Sequence, residues 1–224
     1  DTLSLHDALP IFAGEEEGAL AFRGGTSWLA ASPSGASVRT APLLLVDIGG
    51  GSTEFAVGVA GGTPTFVRSL EIGVVRLTER FFRTDPPQPE AVTALAEHVA
   101  AAIAAGVPER LRRAVPAAVG VAGTFTTLVA NKLGLTAYDA SLVQGHVLSH
   151  ADIDQAVGRL AVLTSAERGR LPGIQPGRED VILAGALIAR EALRAFGLEA
   201  VTVSESDLLE GVALALADGS LPVP

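Results

Sequence analysis

The residues best placed to do chemistry lie in one stretch, LLLVDIGGGSTEFAVGV at residues 43–59. Asp47 ends an apolar run, Gly49, Gly50 and Gly51 follow with Ser52, Thr53 and Glu54, and a second apolar run begins. Residues 43–46 and 55–59 are rich in β-formers, so the pattern predicts two strands joined by a tight turn whose glycines allow angles that other residues avoid. A turn stripped of side chains exposes backbone N–H groups at close range, which suits a chain of phosphates. Asp47 and Glu54 at its borders are hard oxygen donors of the kind that hold Mg2+. Phosphate chemistry with a divalent cation is the first expectation.

A second glycine-marked turn lies in GVAGTFTTLVANKLG at residues 120–134. A strand is expected to end at Val121 and Gly123 to make the turn, leaving Thr124, Thr126 and Thr127 at the mouth of a helix. Unpaired N–H groups at that mouth form another anion cradle. Alone, the pattern is also that of a plain strand-to-helix turn with a threonine cap. Two such turns in one chain give the phosphate reading its weight.

Other polar groups have a structural reading beside the chemical one. Glu15, Glu16 and Glu17 open a helix over residues 14–24, where the dipole favours acids, and on composition alone a solvated helix start is the favoured account of them. Arg170, Arg178, Glu179 and Asp180 cluster before a long helix that ends near Phe196. An arginine there can fork onto phosphate or pair with a neighbouring acid. His146 and His150 are four apart, but Ser149 reads as a helix cap between them, which argues against a shared metal.

The elements that must position these groups follow the hydrophobic pattern. After the hairpin, residues 65–72 read as a third strand, completing an antiparallel meander, and Gly73 opens a short helix carrying Arg76. An alanine-rich helix spans 90–105, a buried strand 114–121, a capped helix 149–163 and a last strand 200–203; a final amphipathic helix covers 206–217. Thr164 with Glu167 forms a further capping box. Residues 26–40, rich in Ser, Ala and Gly, read as an exposed connection.

Composition sets the outer limits. At 224 residues and 48% hydrophobic content the chain can fill a substantial core. It has no apolar run near the roughly 18 residues of a membrane span, so a soluble, cytoplasmic protein is expected. A formal charge of −9 argues against nucleic acid as a partner. The lack of cysteine excludes disulfides and thiolate metal sites.

Taken in order, GEEEGALAF, LLLVDIGGGSTEFAVG, EIGVVRLTERF, GVAGTFTTLVA, GIQPGREDVILAGALI and VSESDLLEGVAL resemble the exopolyphosphatase / guanosine pentaphosphatase (Ppx/GppA) family, over about residues 14–216. That resemblance implies an α/β fold of the actin-like ATPase superfamily, in which two ribonuclease-H-like lobes hold phosphate between glycine hairpins. The lobe expected here has a mixed five-stranded sheet with an antiparallel meander and flanking helices. It implies residues 41–217 as the second lobe, 13–40 as the end of the first lobe and its connection, and 218–224 as a tail. Residues 1–12 join poorly to the segment from residue 13 onward and are expected to be non-native. No D-x-G-x-N-S loop precedes Glu15 and the chain has no methionine, so the first lobe is expected to be largely missing and the fragment weak or inactive alone.

The resemblance also assigns roles. Glu17, in a G-x-E-E-A-like motif that reads Gly14-Glu15-Glu16-Glu17-Gly18, becomes the general base, with Glu16 beside it. Gly18 in place of alanine is a mild departure that could loosen the helix start. Asp47 and Glu54 become the Mg2+ ligands. Gly49, Gly50, Gly51, Ser52 and Thr53 become the second phosphate loop, with Gly123, Thr124, Arg76 and Arg178 as further phosphate contacts. The substrate implied is inorganic polyphosphate or guanosine pentaphosphate, and full-length members of the family are often homodimers. Two rivals remain: an actin-like sugar or acetate kinase lobe, in which Glu17 has no evident task, and a non-catalytic regulator that binds guanosine tetra- or pentaphosphate. A Rossmann site is disfavoured because the glycines sit between strands instead of opening a helix.

Overall fold

The computed structural model describes residues 14–31 and 41–221. The expectations for residues 1–12, for 32–40 of the connection and for 222–224 of the tail lie outside the described residues. The order of elements is α1 (Gly14–Ala31), β1 (Leu43–Ile48), β2 (Thr53–Gly58), β3 (Phe66–Leu70), α2 (Val74–Phe81), α3 (Pro89–Gly106), α4 (Glu109–Arg112), β4 (Ala118–Val121), α5 (Ala122–Leu133), α6 (Ala140–Val143), β5 (Val147–Ser149), α7 (His150–Ala161), α8 (Ser165–Arg168), α9 (Ile182–Phe196), β6 (Ala200–Val203) and α10 (Leu208–Ala217).

The strands form one mixed sheet in the order β3-β2-β1-β4-β6-β5. β1, β2 and β3 make the expected antiparallel meander, β4 and β6 run parallel to β1, and β5 returns antiparallel on the far edge. This is the ribonuclease-H-like arrangement with six strands in place of the expected five. The added strand, β5, is only three residues long, and Val147 on it is half exposed, so it carries too little apolar pattern to be read from sequence.

β1 and β2 are buried along their whole length, as expected of central strands covered on both faces. Their period of two sorts the side chains. Leu44, Val46, Ile48, Phe55 and Val57 enter the larger core beneath α2, α3, α5, α7 and α9, while Leu43, Leu45 and Ala56 meet Ala21 and Phe22 of α1 on the other side. The same alternation puts Asp47 and Glu54 on the α1 side of the sheet. α9 is buried almost all round, which fits a helix sandwiched inside the larger core.

α1 runs past the predicted end at residue 24 to Ala31, so residues 26–31 are helical and not an exposed connection. Thr26 is fully buried; its hydroxyl donates to the Phe22 carbonyl at 2.6 Å and accepts from the Gly61 N–H at 2.9 Å, clipping the β2–β3 turn to the helix. The paired glycines at the expected helix end serve close packing. A Cβ on Gly24 would stand 2.0 Å from the Asp207 carbonyl oxygen, and one on Gly211 would stand 1.9 Å from the Leu20 carbonyl oxygen, so α1 and α10 touch backbone to backbone. Both predicted capping boxes are present, at Ser149 with Asp152 and at Thr164 with Glu167. No described helix is long and apolar enough to cross a membrane.

Candidate functional site

The parallel strands bring the predicted groups to one end of the sheet. Asp47 pairs with Val121 in the β1–β4 register, so the glycine turn after β1 and the start of α5 after β4 lie side by side. The segment after β6, which carries Asp207, reaches the same edge, since Val203 pairs with Gly120. Ligands of α/β sheets gather at such carboxyl ends.

The β1–β2 turn is held from behind by α2. The Gly49 carbonyl accepts from Val74 N–H at 2.9 Å, the Gly50 carbonyl from Val75 N–H at 2.9 Å, and the Gly51 carbonyl from Gly73 N–H at 3.2 Å and from Arg76 Nε at 3.0 Å. Gly49 N–H closes the turn on the Ser52 carbonyl, and the Thr53 hydroxyl donates to the Ile72 carbonyl at 2.7 Å. With the carbonyls drawn toward α2, the N–H groups of Gly50, Gly51 and Ser52 reach no backbone carbonyl among the described residues. Gly50 and Gly51 border an open cavity of about 470 Å³ lined also by Val75, Arg76 and Glu79. None of the three glycines takes a positive φ, contrary to the expectation from the sequence. The glycine the geometry needs is Gly73, where a Cβ would stand 2.3 Å from the Gly50 oxygen. Arg76 is thus placed at the loop as expected; its Nε braces the turn, and an exposed Nη1 lies 3.8 Å from Glu71.

Four carboxylates converge beneath this turn. Asp47 and Glu54 are cross-strand partners, both almost fully buried, and Glu54 Oε1 accepts from Ser69 Oγ at 2.7 Å. Glu17, in the first turn of α1, lies over them. α1 rides close to the strands there, because a Cβ on Gly18 would come within 2.7 Å of Val67 Cγ1 and 3.2 Å of Glu54 Cβ. Gly18 therefore tightens the helix against the sheet, where the sequence suggested loosening. Burial, and then the charges of Glu54, Asp207 and Glu17, push the Asp47 carboxyl up to about 7. Burial and then Glu54 raise that of Glu17 as well. Asp207 went unassigned from sequence. It caps α10 by accepting from Leu209 N–H at 2.9 Å, and only the β4–β6 pairing brings it near Asp47. Glu16 is directed elsewhere, to a groove it shares with Ala19, Arg23, Pro64 and Leu221.

Among the described residues no three histidine or carboxylate groups gather closely enough to hold a metal by themselves. Asp47 and Glu54 nevertheless fit Mg2+, which in phosphate sites takes one or two carboxylates and fills its shell with water and phosphate oxygens. Both are buried, and among the described residues neither forms an ion pair with a basic side chain.

The β4–α5 turn departs from the predicted geometry. The left-handed residue is Ala122, with φ at +67°, not Gly123, and Val121 caps the helix without any side-chain hydrogen bond. Gly123 lies in the first helical turn beneath Arg178; a Cβ there would sit 2.2 Å from an Arg178 Nη2. The Thr124 side chain is buried against Gly185 of α9, so this residue can offer a ligand its N–H but not its hydroxyl. Thr126 turns to the Tyr138 phenol, which donates to Glu205. His146 and His150 do not converge: one precedes β5, and the other sits on α7 with Nδ1 3.1 Å from Asp154.

A family profile described as the Ppx/GppA phosphatase family matches residues 8–219. Exopolyphosphatase 2 of Mycobacterium tuberculosis is 38% identical over 218 residues, covering 94% of this chain and 64% of that protein. The crystal structure of the Aquifex aeolicus member of the Ppx/GppA family superposes with a TM-score of 0.81 at 32% identity, over 94% of this chain and 65% of that one. An exopolyphosphatase structure from Cytophaga hutchinsonii gives 0.75 at 27% identity, over 92% and 64%. The chain thus spans just under two thirds of the length of these relatives.

Proposed function

The chain belongs to the Ppx/GppA phosphatase family, and from that premise we propose that it carries the hydrolytic half of a phosphohydrolase acting on the terminal phosphate of inorganic polyphosphate, with guanosine pentaphosphate as the alternative substrate. The observation that supports this reading is that Glu17, Asp47 and Glu54 lie near one another beside a turn whose Gly50, Gly51 and Ser52 N–H groups reach no backbone carbonyl among the described residues. A relative named exopolyphosphatase at 38% identity supports polyphosphate as the first substrate.

The reaction proposed is in-line attack of water on the terminal phosphorus. A new P–O bond forms to the water oxygen while the bridging P–O bond to the penultimate phosphate breaks. Glu17 takes the water proton, a task for which its raised proton affinity suits it better than an ordinary glutamate. The N–H groups of Gly50, Gly51 and Ser52 and of the α5 start hold the phosphate oxygens and favour the charge that spreads over them. Mg2+, when bound, would be held by Asp47 and Glu54 and would supply charge neutralisation between phosphate oxygens. Asp207, whose charge reaches Asp47, would add to the negative potential that favours a cation there. We further propose a cytoplasmic location for the protein.

The test is phosphate release from polyphosphate and from guanosine pentaphosphate, with Mg2+, by the full-length protein that contains this sequence and by its Glu17→Gln variant. Loss of release with substrate binding retained is expected. Turnover surviving in the variant removes Glu17 from the mechanism.

A further inference from the structure

Arg168, the last residue of α8, is an arginine buried to 2% exposure, away from the carboxylates and the glycine turn. A guanidinium shut off from water is unfavourable unless its geometry does something an apolar side chain cannot. Here its Nε donates to the Leu160 carbonyl at 2.9 Å and its Nη1 to the Glu179 carbonyl at 3.4 Å, so one planar group ties the end of α7 to the loop before α9. Burial works against its charge, and the nearby Asp85 and Asp180 work for it. Both acids are themselves fastened to α8: Asp85 accepts from Ser165 N–H at 2.9 and 3.0 Å, and Asp180 accepts from the Ser165 hydroxyl.

The loop held in this way carries Arg178 immediately before Glu179 and Asp180. Its backbone is a turn, with Arg178 N–H on the Gln175 carbonyl and the Arg178 carbonyl accepting from Val181 and Ile182 as α9 begins. The side chain of Arg178 lies against the backbone of Gly123 at the uncapped start of α5, and no carboxylate among the described residues lies within ion-pair distance of it. An unpaired arginine at a helix N-terminus is useful only if its fork stays aimed, because a long side chain on a loose loop loses its geometric selectivity for phosphate.

We propose that Arg168 is a positioning residue, which pins the 175–181 loop through the Glu179 carbonyl and Asp180 so that Arg178 is held over the first turn of α5 to receive a phosphate group. The inference rests on the reading of that turn as a phosphate site. Arg168 itself touches no substrate. Its neighbours are backbone carbonyls and two acids, Asp180 on the loop and Asp85 on the connection between α2 and α3.

Two measurements on the chain as it stands test this, each with Arg168→Met, which keeps length and apolar bulk, and Arg168→Lys, which keeps charge but lacks the fork. In amide hydrogen exchange, Arg168→Met is expected to speed exchange over residues 175–181 roughly tenfold, as loss of a charge-assisted hydrogen bond allows, with β1, β2 and β4 unchanged and Arg168→Lys intermediate. Unchanged exchange at 175–181 in both variants, or an equal rise everywhere in Arg168→Lys, overturns the proposal. In titration with inorganic tripolyphosphate, Arg168→Met is expected to weaken binding and to have no further effect once Arg178→Ala is present, since it acts through that side chain. Additive losses in the double variant overturn it. If the wild-type chain and Arg178→Ala bind tripolyphosphate equally, the phosphate reading of the turn fails, while the exchange measurement still decides what Arg168 positions.

Discussion

Asp47 stands directly opposite Glu54 across the β1–β2 ladder, and both side chains lie on the α1 side of the sheet, nearly closed to water. Burial, and then the charge of Glu54, push the Asp47 carboxyl up to about 7 from its ordinary 3.8. A folded state that holds a proton which the unfolded chain releases is favoured at low pH. The contribution is therefore full below about pH 4 and lost as pH rises through about 7. Asp47→Asn is expected to raise the unfolding free energy at pH 8, by on the order of 2–4 kcal/mol, and to change it little at pH 4. Mg2+ at pH 8 should stabilise the wild type and not the variant. Denaturation curves at the two pH values with and without the ion check this, and an unchanged pH profile in the variant would contradict it.

The glycines of α1, α7 and α10 separate close approach from mere tolerance. A Cβ on Gly211 would overlap the Leu20 backbone at 1.9 Å, which neither helix can relieve without moving apart, so Gly211→Ala is expected to cost about 3 kcal/mol or more. Gly18→Ala meets Val67 Cγ1 and the Cβ and Cγ of Glu54 instead, and should cost about 1–2 kcal/mol, partly offset by the better helix propensity of alanine. Gly158 on α7 has open space around its missing Cβ, and Gly158→Ala is expected to stabilise by up to about 1 kcal/mol. Urea denaturation of the three variants checks the order.

The contrast shows what the sequence could carry. The meander, the glycine turn, the capped helices and the Asp47–Glu54 pair were legible because each is written in local spacing: apolar alternation, turn residues and cap residues at fixed offsets. Asp207 was not, since it becomes a neighbour of Asp47 only through the β4–β6 pairing. The sequence predicts that the helix stops at Gly24, since propensity counts against paired glycines, while contact with α10 decides the matter. β5 was too short to show a period. Arg178 could be singled out by type, but its seat on Gly123, and the buried Arg168 behind it, depend on loops whose course no local pattern states.

Ala122 carries the left-handed turn into α5 although a Cβ disfavours that region by about 1–2 kcal/mol. Ala122→Gly is accordingly expected to leave stability unchanged or raise it by about 0.5–1 kcal/mol, the reverse of the usual glycine penalty. Ala122→Val, branched at Cβ, should lower it by about 2 kcal/mol or more. Thermal unfolding of both variants against the parent decides, and a normal loss of about 1 kcal/mol for the glycine variant would show that the turn bears no strain.

Tyr138 offers a direct reading of the surface beside that turn, because it is the only tyrosine in the chain. Burial, and then its hydrogen bond to Glu205, hold the phenol in its protonated form up to about pH 12, with Thr126 pulling weakly the other way. Ionising it would set a phenolate against the Glu205 carboxylate it now donates to. The contribution to stability is present below the ordinary value of 10 and is lost as pH rises through about 12. The near-ultraviolet phenolate band should therefore titrate late in the folded chain and at its ordinary position in urea. Glu205→Gln keeps an acceptor but removes the charge, and should bring the folded midpoint down without changing the unfolded one. A folded midpoint that already coincides with the unfolded one would mean that Tyr138 and Glu205 do not share this hydrogen bond.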